Sequence, residues 1–169
     1  MLAALNPIDV AAGDAVFVPA GSAHAIGEGL LIVELQEPSD MSVLLEWNGF
    51  GIADEDEATL GLGWDTALGC VDRSDGDASQ ARGPTPDGAL GELLPPAASS
   101  FFTAQRLAPG GGSVELPQGF AVVVVLDGAG TLGGLDVGRG DALLVPYSAG
   151  PVTADGDLTA LVCRPPEAR

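Results

Sequence analysis

Histidine is almost absent from this chain of 169 residues: His24 is the only one. Basic residues are nearly as scarce, six against 24 acidic ones, for a net charge of −18 at pH 7. No basic patch can be assembled from so few cations, and a polyphosphate backbone would be repelled, so nucleic-acid binding is excluded. An anionic membrane surface is disfavoured for the same reason. Long hydrophobic runs are also missing. The longest, Phe120 to Leu126, has the length of a strand, far below the ~20 residues that a membrane helix needs. The two cysteines, Cys70 and Cys163, stand far apart and form no CxxC pair, which reads as two reduced thiols in a cytoplasmic protein. The opening MLAALNPIDVAAGD lacks the basic residues and the long apolar core of a signal peptide.

What remains is apolar and rich in turn residues. Hydrophobic residues make up 46% of the chain, beside 25 glycines and 13 prolines, a composition of globular rather than disordered protein. Helical periodicity is nearly missing, because Gly and Pro recur too often for long helices. Strands are predicted at Ala15–Val18, Leu30–Gln36, Ser42–Trp47, Phe101–Leu107, Ser113–Leu116, Phe120–Leu126, Gly130–Leu132, Ala142–Val145 and Leu158–Cys163. Short strands at this spacing point to an all-β sandwich or barrel with little helix. Thr59–Asp72 is the best helix candidate, and the DEDE run at Asp54–Glu57 reads as a solvated loop. The stretch from Arg73 to Ser100 loses apolar periodicity and has the composition of a linker or long loop. The expected organisation is residues 1–72, a linker over 73–97, and residues 98–169.

The two portions share a signature. GDAVFVP at Gly13–Pro19 reappears as GDALLVP at Gly140–Pro146, with Gly, Asp, Ala, Val and Pro in the same register. Gly-Asp turns the chain into a strand, the apolar run is buried, and Pro stops it at a rim. Each copy is followed by a glycine-containing turn, which suggests duplicated β-barrels. The glycine runs PGGGS and LDGAGTLGG lack the Lys-Ser/Thr of a phosphate loop and read as hairpin turns.

In the first copy the spacing of Gly13, Pro19, Gly21 and His24 resembles the second motif of the cupin superfamily, whose closing histidine binds metal; the usual final Asn is Glu28 here. The resemblance implies jelly-roll barrels, a partial one at the N-terminal side and a complete C-terminal one. In the second copy the counterpart of His24 is Pro151, so the C-terminal barrel is expected to be metal-free. The segment PAGSAHAIGEGLLIVELQEPSD (Pro19–Asp40) is similar, more specifically, to class I mannose-6-phosphate isomerases, over their central and C-terminal regions. Those enzymes are longer, and their Gln-x-His and Glu ligands lie upstream of the counterpart of Met1.

Carried over by position, the resemblance makes His24 a ligand of zinc or another divalent metal. It makes Glu34 and Asp40 the catalytic carboxylates, with Gln36 and Ser39 lining the substrate pocket. It implies interconversion of an aldose phosphate and a ketose phosphate, mannose 6-phosphate and fructose 6-phosphate. A carboxylate would shuttle a proton between adjacent carbons while the metal polarises the oxygens. Ten positions after the active-site glutamate the family carries an arginine; ten positions after Glu34 stands Leu44. With its upstream ligands absent, the chain as given reads as an incomplete and inactive site or as part of a larger one. A second reading is a non-catalytic double-cupin module that binds a sugar or another protein, and a third is a structural barrel that pairs with a second copy across sheet edges. Trp47 and Trp64 fit either core packing, the commoner use, or the floor of a sugar-sized pocket.

Overall fold

A computed structural model describes residues 5–39, 41–74 and 78–166. The chain divides into two units: Met1–Asp9 with Val18–Ala78, and Val10–Phe17 with Ser79–Arg169. The architecture is β-rich with little helix. Among the described residues no helix is long and apolar enough to cross a membrane.

The second unit carries one antiparallel sheet. Its strands are β1 (Leu90–Glu92), β2 (Thr103–Leu107), β3 (Ser113–Leu116), β4 (Ala121–Leu132), β5 (Leu135–Gly138), β6 (Ala142–Val145) and β7 (Val152–Arg164). The two long strands, β4 and β7, pair along nearly their whole length. On one side β4 takes β6 along its first half and β5 along its second; on the other, β7 takes β3 and then β2, with β1 outside β2.

Two long strands can serve four short ones because the pair is bent. A bulge between Val125 and Asp127 leaves Leu126 as the extra residue. Just beyond it the strands approach so closely that only glycine fits: a Cβ at Gly128 would lie 2.1 Å from the Asp157 carbonyl oxygen, and one at Gly130 2.0 Å from that of Asp155. Alternation then aims Ala121, Val123 and Val125 of β4, and Leu158, Ala160 and Val162 of β7, at one face. Leu107, Leu116, Leu132, Val137, Val145 and Ala154 complete this single buried cluster. Burying each valine or leucine of the cluster stabilises the fold by roughly 1.5–3 kcal/mol.

The Gly13–Pro19 copy of the repeat does not form a full strand. Val16 makes one bridge to Arg82, flanked by bonds from Phe17 N–H to the Ala81 carbonyl (2.8 Å) and from Gly83 N–H to the Ala15 carbonyl (2.9 Å). Phe17 packs against Phe101 and edge-on to Phe102.

In the first unit the expected strands Leu30–Gln36 and Ser42–Trp47 do not form ladders among the described residues. A strand needs a partner for its N–H and C=O groups, and among the described residues no strand pairs with these segments; Leu31 is 94% exposed. The expected helix over Thr59–Asp72 shrinks to α2 (Trp64–Ala67) and a 3-10 turn at Leu68–Cys70. The DEDE run, expected as a loop, opens α1 (Glu55–Ala58). Asp54 caps it, accepting from Glu57 N–H at 3.0 Å, while the Glu57 carboxylate reaches back to Ala53 N–H at 2.9 Å. In the stretch expected as a linker, Leu90–Glu92 pairs with β2.

Candidate functional site

The turn that carries the lone histidine is built from its sequence. Ser22 N–H donates to the Pro19 carbonyl at 3.1 Å, and Gly21 at the third position takes φ +85, as a Pro-x-Gly type II turn requires. The Gly21 carbonyl accepts from Asp72 N–H at 2.8 Å. A Cβ on Gly21 would meet the Cys70 carbonyl oxygen at 2.7 Å, so the turn lies directly on the chain leaving the 3-10 segment. Asp72 accepts from Ser74 N–H at 2.9 Å, and that bond holds its carboxyl below the usual carboxylate range.

His24 is exposed, and its Nδ1 lies 2.9 Å from the Ser22 carbonyl oxygen. A carbonyl only accepts, so the neutral ring carries its proton on Nδ1 and leaves the Nε2 lone pair open. That is the tautomer and the backing bond of a metal-ligating histidine. The rest of a metal centre is not assembled. Among the described residues no group of three or more His, Cys, Asp or Glu side chains is arranged to hold a metal ion, whereas a catalytic zinc takes about three protein ligands. The side chains described here therefore supply one ligand and do not fit a complete centre.

Glu34 and Gln36 are exposed, with Leu35 half-buried between them. The Gln36 side-chain amide donates to the Ser39 carbonyl at 3.4 Å, and the Ser39 hydroxyl accepts from Met41 N–H at 3.4 Å. The structure thus brings Gln36 and Ser39 together, and among the described residues no hydrogen bond or ion pair joins either to His24 or Glu34. Asp40 lies outside the described residues. Leu44 is half-buried, and its N–H donates to the Ala58 carbonyl at 2.9 Å, at the end of α1.

A cavity of the first unit lies away from these residues. About 620 Å³ of open space is lined by residues of the Leu45–Phe50 turn with Ile52 and Trp64, including both tryptophans. Trp47 and Trp64 are both half-buried. The sequence signal for this cavity was Trp-Asn-Gly-Phe, a tryptophan directly before an Asn-Gly turn dipeptide.

Comparison with known proteins gives a consistent but partial picture. No protein-family model matches the chain. A stretch of 36 residues is 53% identical to the mannose-6-phosphate isomerase of Streptococcus mutans serotype c, covering 21% of this chain and 11% of that one. The fold is similar to that of mannose 6-phosphate isomerase from Salmonella typhimurium in its apo form, with a TM-score of 0.52 at 16% identity, over 61% of this chain and 28% of that one. The corresponding enzyme of Bacillus subtilis aligns with a TM-score of 0.48 at 17% identity, over 61% of this chain and 34% of that one. The chain thus spans about a third or less of the length of these isomerases. Over that part it resembles type I phosphomannose isomerases, and its β-rich architecture is that of their fold.

Proposed function

We propose that the chain is a mannose-6-phosphate isomerase-like protein of the cytoplasm, acting on an aldose phosphate and its ketose. The observation that carries the reading is the 36-residue stretch of 53% identity to such an isomerase. The β-rich fold, shared with the Salmonella protein, is consistent with it. The reaction takes a proton from the carbon beside a carbonyl and returns it to the neighbouring carbon, through an enediol. Glu34 is the carboxylate assigned to that transfer, with Asp40 as the second acidic group. Gln36 and Ser39 are the polar side chains assigned to sugar hydroxyls, and His24 is assigned as the metal-binding position through its open Nε2.

The test is a coupled assay of the purified chain on mannose 6-phosphate with zinc supplied. Turnover that disappears in His24→Ala and in Glu34→Gln, while circular dichroism stays unchanged, supports the reading. A folded chain with no turnover overturns it in favour of a second reading, a non-catalytic sugar-binding or protein-interaction module of the same fold. The observation behind that alternative is the exposed His24 with no cluster of donors around it among the described residues, together with Leu44 where a cation would steady developing charge.

A further inference from the structure

Trp47 and Trp64, the only tryptophans of the chain, stack with ring centroids 5.7 Å apart and planes 25° apart. Both are half-buried. Among the described residues the buried side chains of the first unit are the small ones, Ala58, Thr59 and Ala67, while both indoles border the cavity of about 620 Å³. That volume is in the range of sites for small organic ligands. The rim is set by the turn after Trp47: Phe50 N–H donates to the Trp47 carbonyl at 3.0 Å, with Gly49 at φ +88. The turn leaves Phe50 at the cavity edge, 72% exposed. Polar groups stand beside the rings. Glu46 accepts from Asn48 N–H at 2.9 Å through Oε1, which anchors the carboxylate next to the aromatic surface.

Flat aromatic faces flanked by one carboxylate and one amide suit a pyranose: the C–H face of the sugar lies on the indole, and its hydroxyls donate to Glu46 and Asn48. A phosphate group has no partner here. The chain contains no lysine, none of its arginines lines this cavity, and the one charged lining residue is Glu46. We propose that the Trp47–Trp64 cavity binds an unphosphorylated hexose and prefers one that carries an amine, which Glu46 would pair. This site shares no residue with the His24–Ser39 set and stands independently of the isomerase reading.

Because both tryptophans border the cavity, intrinsic fluorescence reports on it alone. The intact chain, in buffer containing a chelator, is titrated with methyl α-mannoside, glucosamine and mannose 6-phosphate. The expected result is a saturable change with the first two and none, or a weaker one, with the phosphorylated sugar. Glucosamine should bind about threefold tighter than the mannoside, a margin typical of an exposed ion pair, and lose that margin in Glu46→Gln. Phe50→Ala, at an exposed position, should weaken both sugars at unchanged thermal stability. No saturable change with either unphosphorylated sugar, tighter binding of mannose 6-phosphate, or affinities unaltered in Phe50→Ala would each overturn the proposal. A negative isomerase assay has no bearing on these titrations, since no turnover and no metal enters them.

Discussion

Gly13 and Gly140 hold the same left-handed backbone, φ +93 and +94. Each precedes an aspartate whose carboxylate folds back three residues: Asp14 accepts from Ala11 N–H at 3.0 Å and Asp141 from Gly138 N–H at 2.8 Å. The backbone closes the same turn in both places, Asp14 N–H to Ala11 and Asp141 N–H to Gly138, each at 3.0 Å. Past the strand the likeness continues, with Ser22 N–H donating to Pro19 and Ala149 N–H to Pro146. Two copies of Gly-Asp-Ala-x-x-Val-Pro therefore fold into the same local structure, although only the second becomes a full strand. What differs is the neighbour: β6 lies along β4, whereas Val16 finds a single bridge.

Glycine is needed at Gly13 and Gly21 for different reasons, and alanine separates them. Around Gly13 nothing lies within 4 Å of a built Cβ, so Gly13→Ala is charged only with the left-handed φ, about 1 kcal/mol. At Gly21 the same φ penalty is joined by a contact of 2.7 Å with the fixed Cys70 carbonyl oxygen. Gly21→Ala should therefore lose about 2 kcal/mol or more by urea denaturation. Equal losses would mean that the Cys70 backbone yields at no cost.

Leu60 occupies a position where glycine is the usual choice. α1 ends in a Schellman motif, with Gly61 N–H bonded to the Asp56 carbonyl at 2.8 Å and Leu60 N–H to that of Glu57 at 3.2 Å. Leu60, the only non-glycine residue with positive φ among those described, takes φ +58 and is 45% exposed. Leu60→Gly relieves that strain but adds freedom to the unfolded chain. The net expectation is a gain of about 0.5–1 kcal/mol in thermal or urea unfolding.

How much of this could be read from the sequence depends on what each residue answers to. β3 and β6 were legible with their bounds, Ser113–Leu116 and Ala142–Val145, since turn residues punctuate short apolar runs. β4 was read as two strands, because Asp127–Gly128–Ala129–Gly130 has turn composition. Those glycines instead let β4 pass the carbonyls of Asp155 and Asp157 without reversing direction. Leu90–Glu92 is too short to show a period, and its role comes entirely from β2. In the candidate site, the Pro-Ala-Gly turn was legible, being local. The companions of His24 were not, because a donor set is a matter of long-range pairing that a single motif does not contain. The aromatic cavity went unranked for the same reason: Trp47 and Trp64 are seventeen positions apart, and only folding stacks them.

Acid should act on Asp14 in a defined direction. The Ala11 N–H bond, with the Arg82 guanidinium beside it, holds the Asp14 carboxyl below the usual carboxylate range. A depressed folded value means that the stabilisation is present above the unfolded value and is lost as pH falls through the folded one. Asp14→Asn keeps an acceptor for Ala11 but not the charge facing Arg82. Melting temperatures of the two proteins should differ at pH 7, hold that difference down to about pH 4, and converge below it. Other carboxylates cancel in the comparison; curves that stay parallel into strong acid would show that the ion pair contributes nothing.

The two thiols should separate by reactivity. Both are free; Cys70 is exposed and its thiol donates to the Ala67 carbonyl, whereas Cys163 lies buried in β7 opposite Val122 and Ala104. Burial pushes the Cys163 thiol above its ordinary value, which shrinks the thiolate fraction that an alkylating reagent attacks. Its cross-strand partners Ala104 and Val122 share its face of the sheet, opposite the face of Val162, so access requires opening whatever covers that face. Iodoacetamide at pH 8 should add one label to the native chain, mapped to Cys70 by peptide mass spectrometry, and a second only in denaturant. The rate of the second label, followed against urea concentration, should track unfolding of this sheet. Labelling of Cys163 as fast as Cys70 in the native protein would mean that the cover over its face of the sheet opens readily, contrary to an exposure of only 7%.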